Sequence, residues 1–153
     1  LDNTMVQLKN ADCNLYENAQ NYILKKPVTN NIIQYMKPLG NCQIIEEQGE
    51  YRLKISHLNK DDIILQWMEN GYVVNVIINA AKNVSLINKR IECQLRKYQT
   101  CILCSACDSV CPIGAISTID KYKVSDDCIH CGKCISHYVG GCLINKTLYK
   151  SKI

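Results

Sequence analysis

The sequence is notable first for what it lacks. No apolar run approaches the eighteen or more residues that a membrane-crossing helix requires. No charged n-region leads into an apolar h-region, so no secretory signal is read. Neither sign of charge dominates. The net charge is +4, with 12 Lys/Arg against 10 Asp/Glu in residues 1–100 and 6 against 4 in residues 101–153. That balance is too mild to point to nucleic acid, which nothing else in the sequence indicates. No catalytic base, nucleophile or phosphate-binding loop stands out, so the chain by itself is not read as an enzyme. It begins at Leu1 rather than a methionine, as a fragment of a longer protein or a processed chain would.

What is present is a chain of 153 residues, 47% hydrophobic, with eleven cysteines. That length suits one domain, or one small domain beside a metal-built one. In a secreted chain so many cysteines would suggest a disulfide scaffold. Here eight of them lie in the forty-two positions 101–142, at metal-ligand spacing. Thiols that must ligate metal need a reducing compartment during assembly, so a cytoplasmic protein is expected.

Residues 1–98 are expected to form an α+β unit. Leu15, Ala19, Tyr22 and Ile23 fall at i, i+4, i+7 and i+8, which predicts a helix over 14–25 ended by Pro27. Thr29 would cap a second short helix with Ile32, Ile33 and Met36 on one face, stopped at Pro38-Leu-Gly40. Residues 42–47 and 51–56 read as a hairpin around Gln48-Gly49-Glu50, because Tyr51, Leu53 and Ile55 alternate with Arg52, Lys54 and Ser56. Asn59 as N-cap, Asp61 and Asp62 in the first turn, and Ile64, Trp67 and Met68 on one face predict a helix that ends at Gly71. The apolar run Tyr72–Ile78 reads as a central strand. Residues 84–96 read as a second long strand, with Ile91, Cys93 and Leu95 alternating against Glu92, Gln94 and Arg96. The expected order is α-α-β-β-α-β-β: a small ββαββ-type unit with N-terminal helices, running straight into Cys101. Cys13, Cys42 and Cys93 have no ligand spacing around them and are expected to be structural.

Residues 99–153 hold the chemistry. Cys101-Ile-Leu-Cys104-Ser-Ala-Cys107-Asp-Ser-Val-Cys111-Pro112 matches C-x2-C-x2-C-x3-C-P. A cubane cluster takes four soft thiolates. The two-residue spacers let the backbone curl around three of its corners, with amides turned toward the sulfurs. The pattern recurs as Cys128-Ile-His-Cys131-Gly-Lys-Cys134, at a shift of 27, and Cys142 follows. Zinc is the rival reading, but four-cysteine zinc sites come as two separated C-x2-C pairs, which this run fits poorly. Residues 116–124 would make a short hairpin between the halves. Ile102, Ile113, Ile116 and Ile129 would keep water off the clusters. His130 and His137 are expected in loop or supporting roles, and Lys133 as an offset to cluster charge.

Residues 101–142 thus resemble a bacterial-type two-cluster ferredoxin domain, and the resemblance implies crossed ligation. Cys101, Cys104, Cys107 and Cys142 would hold one [4Fe–4S] cluster; Cys128, Cys131, Cys134 and Cys111 would hold the other. The second half departs from the ferredoxin pattern. Seven residues rather than three separate Cys134 from Cys142, and Leu143 stands where proline is usual. Leu58, Trp67, Gly71-Tyr72-Val-Val, Arg96, Thr100-Cys101 and above all Gly140-Gly-Cys142-Leu with Lys146 and Leu148 resemble the C-terminal part of large phosphoadenosine phosphosulfate (PAPS) reductase-like proteins, over about residues 50–150. A long second spacer is typical there. That family's catalytic part is an adenine-nucleotide-binding domain with a Ser-Gly-Gly-x-Asp-Ser loop, which this chain does not contain. The resemblance therefore implies an electron-transfer and accessory part of an oxidoreductase, whose partner is a catalytic reductase domain in the same chain or another redox protein. A structural role for the clusters, in a module that binds a partner or nucleic acid, is the second reading. A diffusible ferredoxin with an N-terminal extension is the third, disfavoured because such proteins usually show an acidic face.

Overall fold

A computed structural model describes residues 19–57, 62–69, 71–79 and 84–135. The described residues divide into two compact units, one drawn from 1–30 and 40–85, the other from 31–39 and 86–153. The boundary expected after residue 98 falls inside a continuous helix.

The first unit is a five-stranded antiparallel sheet. Its strands are β1 (Gln20–Ile23), β2 (Gly40–Glu47), β3 (Glu50–His57), β4 (Asp62–Met68) and β5 (Val73–Asn79), in the order β1-β5-β4-β3-β2. The β2–β3 hairpin is as the sequence predicts, and Gln48 and Gly49 both take positive φ, the turn that matches strand twist. Cross-strand pairing aligns Leu53 with Leu65 and Leu65 with Val76, and Ile55 with Ile63 and Ile63 with Ile78. Those two buried rows make the core of one face, and each such side chain contributes about 1.5–3 kcal/mol on burial. Tyr51 and Trp67, also paired, stack with ring centroids 5.4 Å apart. Trp67 is thus a core aromatic, 2% exposed.

Two expectations fail in this unit. Residues 20–23 form β1, not the end of a helix, and residues 14–18 lie outside the described part. Pairing from Gln20↔Val76 to Ile23↔Val73 supplies partners for a strand edge that would otherwise stay unpaired. The helix expected around Ile64, Trp67 and Met68 is strand β4. Ile63, Leu65 and Trp67 are buried on one face, and Ile64 and Gln66 on the other. A short apolar run buried on both faces fits either period, and two neighbouring strands decided it. Asn59 and Asp61 lie outside the described residues. The central strand expected at 72–78 is present as β5, between β1 and β4.

The second unit contains α1 (Ile32–Met36) with a 3-10 turn (Lys37–Leu39), α2 (Val84–Thr100), α3 (Ala106–Val110), β6 (Ile116–Ser117) and β7 (Lys123–Val124). The short helix and the 116–124 hairpin match the sequence reading, although Asn31 rather than Thr29 stands at the N-cap. The strand expected over 84–96 is instead the seventeen-residue helix α2. Ile87, Ile91 and Leu95, four apart, form its buried stripe, and the alternation of Ile91, Cys93 and Leu95 that suggested a strand reflects burial of a wide face. Cys93 is buried, as expected, but on a helix. The α1 segment covers the outer edge of β7. The Val124 N–H donates to Gln34 Oε1 at 2.8 Å, and Lys37 Nζ donates to the Val124 carbonyl at 2.9 Å. Two side chains so satisfy a strand edge that has no further strand beside it in the two-stranded sheet.

Candidate metal centre

The centre is built from the end of α2 onward. The Cys101 N–H donates to the Lys97 carbonyl at 2.8 Å, so the first cysteine belongs to the last turn of the helix and has no linker. The chain then curls twice. Leu103 and Ser105 take φ of 59° and 67° in the first loop; His130 and Gly132 take 57° and 78° in the second. These are equivalent positions at the 27-residue shift, so the repeat seen in the sequence is repeated in the backbone. Left-handed residues between ligand positions are what bend a chain around a compact object rather than past it. Helix α3 carries Cys107 into the interior and delivers Cys111 just beyond its end.

Cys111, Cys128, Cys131 and Cys134 line one cavity of about 340 Å³, counting its solvent-open part, with Pro38, Pro112, Ile113, Ile116, Val124, Ile129, Gly132 and Lys133. That is the second expected ligand set, complete, with its fourth member coming from the other half of the repeat. Among the described residues no three His, Cys, Asp or Glu side chains converge as they would on a single metal ion. None of the nine cysteines among the described residues is in a disulfide. Two amides point at sulfur: Ala115 N–H to Cys111 Sγ at 3.2 Å and His130 N–H to Cys128 Sγ at 3.4 Å. Such donors stabilise thiolate and set cluster potential. The donor set and its amides fit an iron–sulfur cluster. Of the first set, Cys101, Cys104 and Cys107 occupy the first loop, and Cys142 lies outside the described residues.

Burial shapes the electrostatics. It pushes the Cys134 thiol up to about 12, opposed by the Lys97 ammonium and reinforced by Cys107 and Cys128. Burial also raises Cys128, against the stabilising His130 N–H. Tyr122 is raised well above the usual phenol range by burial and by Cys134, and Tyr35 by burial and its hydrogen bond to Cys101. Tyr35 and Tyr122 stack at 4.4 Å.

The isoleucine expectation holds in part. Ile113, Ile116 and Ile129 line the cavity, but Ile102 is 77% exposed and does not shield it. His130 plays the supporting role expected of it: its Nδ1 lies 2.8 Å from the Lys37 carbonyl, which only accepts, so the proton is on Nδ1. His137 lies outside the described residues. Lys133 lines the cavity, as its position between ligands suggested. The sequence reading missed the outer wall. Pro38 lines the cavity and Lys37 and Tyr35 reach the cysteine loops from far along the chain, while Lys97 and Tyr122 lie just before each loop, and no spacing rule marks any of them. Comparison with known proteins finds no family model, curated protein or solved structure that matches the chain.

Proposed function

We propose that this chain is an electron-transfer module holding two [4Fe–4S] clusters in a ferredoxin-like arrangement, and that it serves a reductase. The observation that carries the reading is the crossed set: Cys111, from the first half of the repeat, shares one cavity with Cys128, Cys131 and Cys134. A cluster bound there would supply reversible one-electron chemistry. The chain's own residues supply the rest. Four thiols ligate, the Ala115 and His130 amides stabilise the bound sulfurs, and Ile113, Ile116 and Ile129 restrict water. Cys104 and Cys131, which are exposed, give an electron donor or acceptor a short path to each loop. Cys101, Cys104, Cys107 and Cys142 would hold the other cluster.

The Gly-Gly-Cys142-Leu tail and the long second spacer support placement as the C-terminal part of a cytoplasmic PAPS reductase-like oxidoreductase. In that case the substrate chemistry belongs to a domain that carries a Ser-Gly-Gly-x-Asp-Ser loop. Sequencing the gene upstream of Leu1 tests this placement; an upstream region without that loop would remove it.

The cluster reading is tested by anaerobic reconstitution, iron and sulfide counting, dithionite reduction and EPR. About eight irons per chain with reducible signals are expected. About four irons would reduce the module to one cluster. Bound zinc, or clusters that take no electron, would overturn electron transfer, the latter in favour of a structural role.

A further inference from the structure

Lys97 is a buried cation with no matching anion among the described residues. It lies one turn before Cys101 on α2 and is 1% exposed. Its ammonium sits 4.2 Å from the centroid of the Tyr122 ring, and Nζ has no hydrogen-bond partner among the described residues. A cation–π contact offsets only part of the cost of taking an unpaired ammonium out of water. The tyrosine face therefore does not balance the charge. The groups around it are thiols and phenols. The ammonium acts on Cys134, and Tyr122 interacts with Cys134, Cys107 and Tyr35, which in turn bonds Cys101. At the 27-residue shift, Lys97 corresponds to Val124, so the charge has no twin in the other half of the repeat.

We propose that Lys97, buried over the Tyr122 ring one turn before Cys101, is a built-in counter-charge for one of the two clusters, and that it makes them unequal by raising the reduction potential of the nearer one. The inference rests on the two-cluster reading. A thiolate-ligated cubane is anionic, and reduction adds one more electron from the donor. A fixed positive charge in a low-dielectric setting stabilises the reduced form more than the oxidised form, and so draws the electron to its side. Lys97 touches no substrate; it is a positioning residue that acts through charge.

The test is an EPR-monitored redox titration of wild type, Lys97→Met and Lys97→Arg, each reconstituted and checked for iron and sulfide first. In Lys97→Met one cluster's midpoint is expected to fall by at least a tenfold change in the reduced-to-oxidised ratio, about 59 mV for a one-electron couple. The other midpoint is expected to move much less, and Lys97→Arg to restore most of the shift. Two unchanged midpoints in a fully loaded Lys97→Met protein, or equal shifts of both, would overturn the proposal while leaving the two-cluster reading intact. If Lys97→Met does not load, Lys97→Gln is titrated against the same criteria; failure of both to load while Lys97→Arg loads would reassign Lys97 to assembly and overturn its tuning role. Failure of the wild type to take up iron would instead defeat the two-cluster reading itself, and this inference with it.

Discussion

Leu103 and His130 stand twenty-seven residues apart and share one backbone conformation, with φ of 59° and 57°. Neither is a residue type that adopts the left-handed region without cost, about 1–2 kcal/mol each. Ser105 and Gly132 repeat the coincidence two residues further on. Both loops enter the left-handed region at the same places between cysteines, at a cost for Leu103, Ser105 and His130 and without one for Gly132, so the sequence repeat is also a backbone repeat.

Removing single cysteines should report the crossing. Cys111→Ala and Cys142→Ala are each expected to lower the iron content from about eight to about four per chain. Because the two residues are assigned to different clusters, the EPR signal that survives should differ between the variants. The same surviving signal in both would contradict the crossed assignment.

The second loop's Gly132 offers a small, clean perturbation. A Cβ there would lie 3.4 Å from the Arg90 guanidinium, an ordinary contact, so the cost of Gly132→Ala comes from its φ of 78°. A loss of about 1 kcal/mol is expected in urea unfolding. A loss several times larger would mean that the loop tolerates no side chain for a different reason.

Gly71 is under a harder constraint. A Cβ would come within 2.3 Å of the Val28 backbone nitrogen and 2.8 Å of its Cα, at a φ of 61°. Backbone atoms held by the bond from Val28 N–H to the Gly71 carbonyl cannot give way. Gly71→Ala is expected to cost about 3 kcal/mol or more. Gly49→Ala, with nothing within 4 Å, should cost about 1 kcal/mol. Equal losses in thermal or denaturant unfolding would refute the close-approach account.

Alkaline pH should weaken the metal-free chain. Burial raises Cys134 from 9.0 to about 12, and raises Tyr122 as well. Between those limits the unfolded thiol has lost its proton and the folded one has kept it. The folded state then binds more protons, and stability falls as pH rises. The contribution is whole below about pH 9 and is lost toward pH 12, at up to about 1.4 kcal/mol per pH unit for each group. Urea midpoints at about pH 8 and 11 check it; a midpoint that holds steady or climbs would show the thiol is not buried as described.

Sequence alone determined the parts of this protein that rest on local rules. Cysteine spacing identified both loops and the 27-residue repeat, since Cys at every third position twice over marks them without reference to the rest of the chain. Alternation identified the β2–β3 hairpin, since one wet and one dry face demand period two. Tertiary structure decided what local pattern left ambiguous. Residues 62–68 are buried on both faces, and residues 84–100 bury one wide face that includes Gln94 and Lys97, so short alternations misled in both; neighbours turned the first into a strand and the second into a helix. Only the fold brought Pro38 to the cavity wall and buried the Lys97 ammonium over the Tyr122 ring. Those placements depend on long-range packing, which no spacing in the sequence encodes.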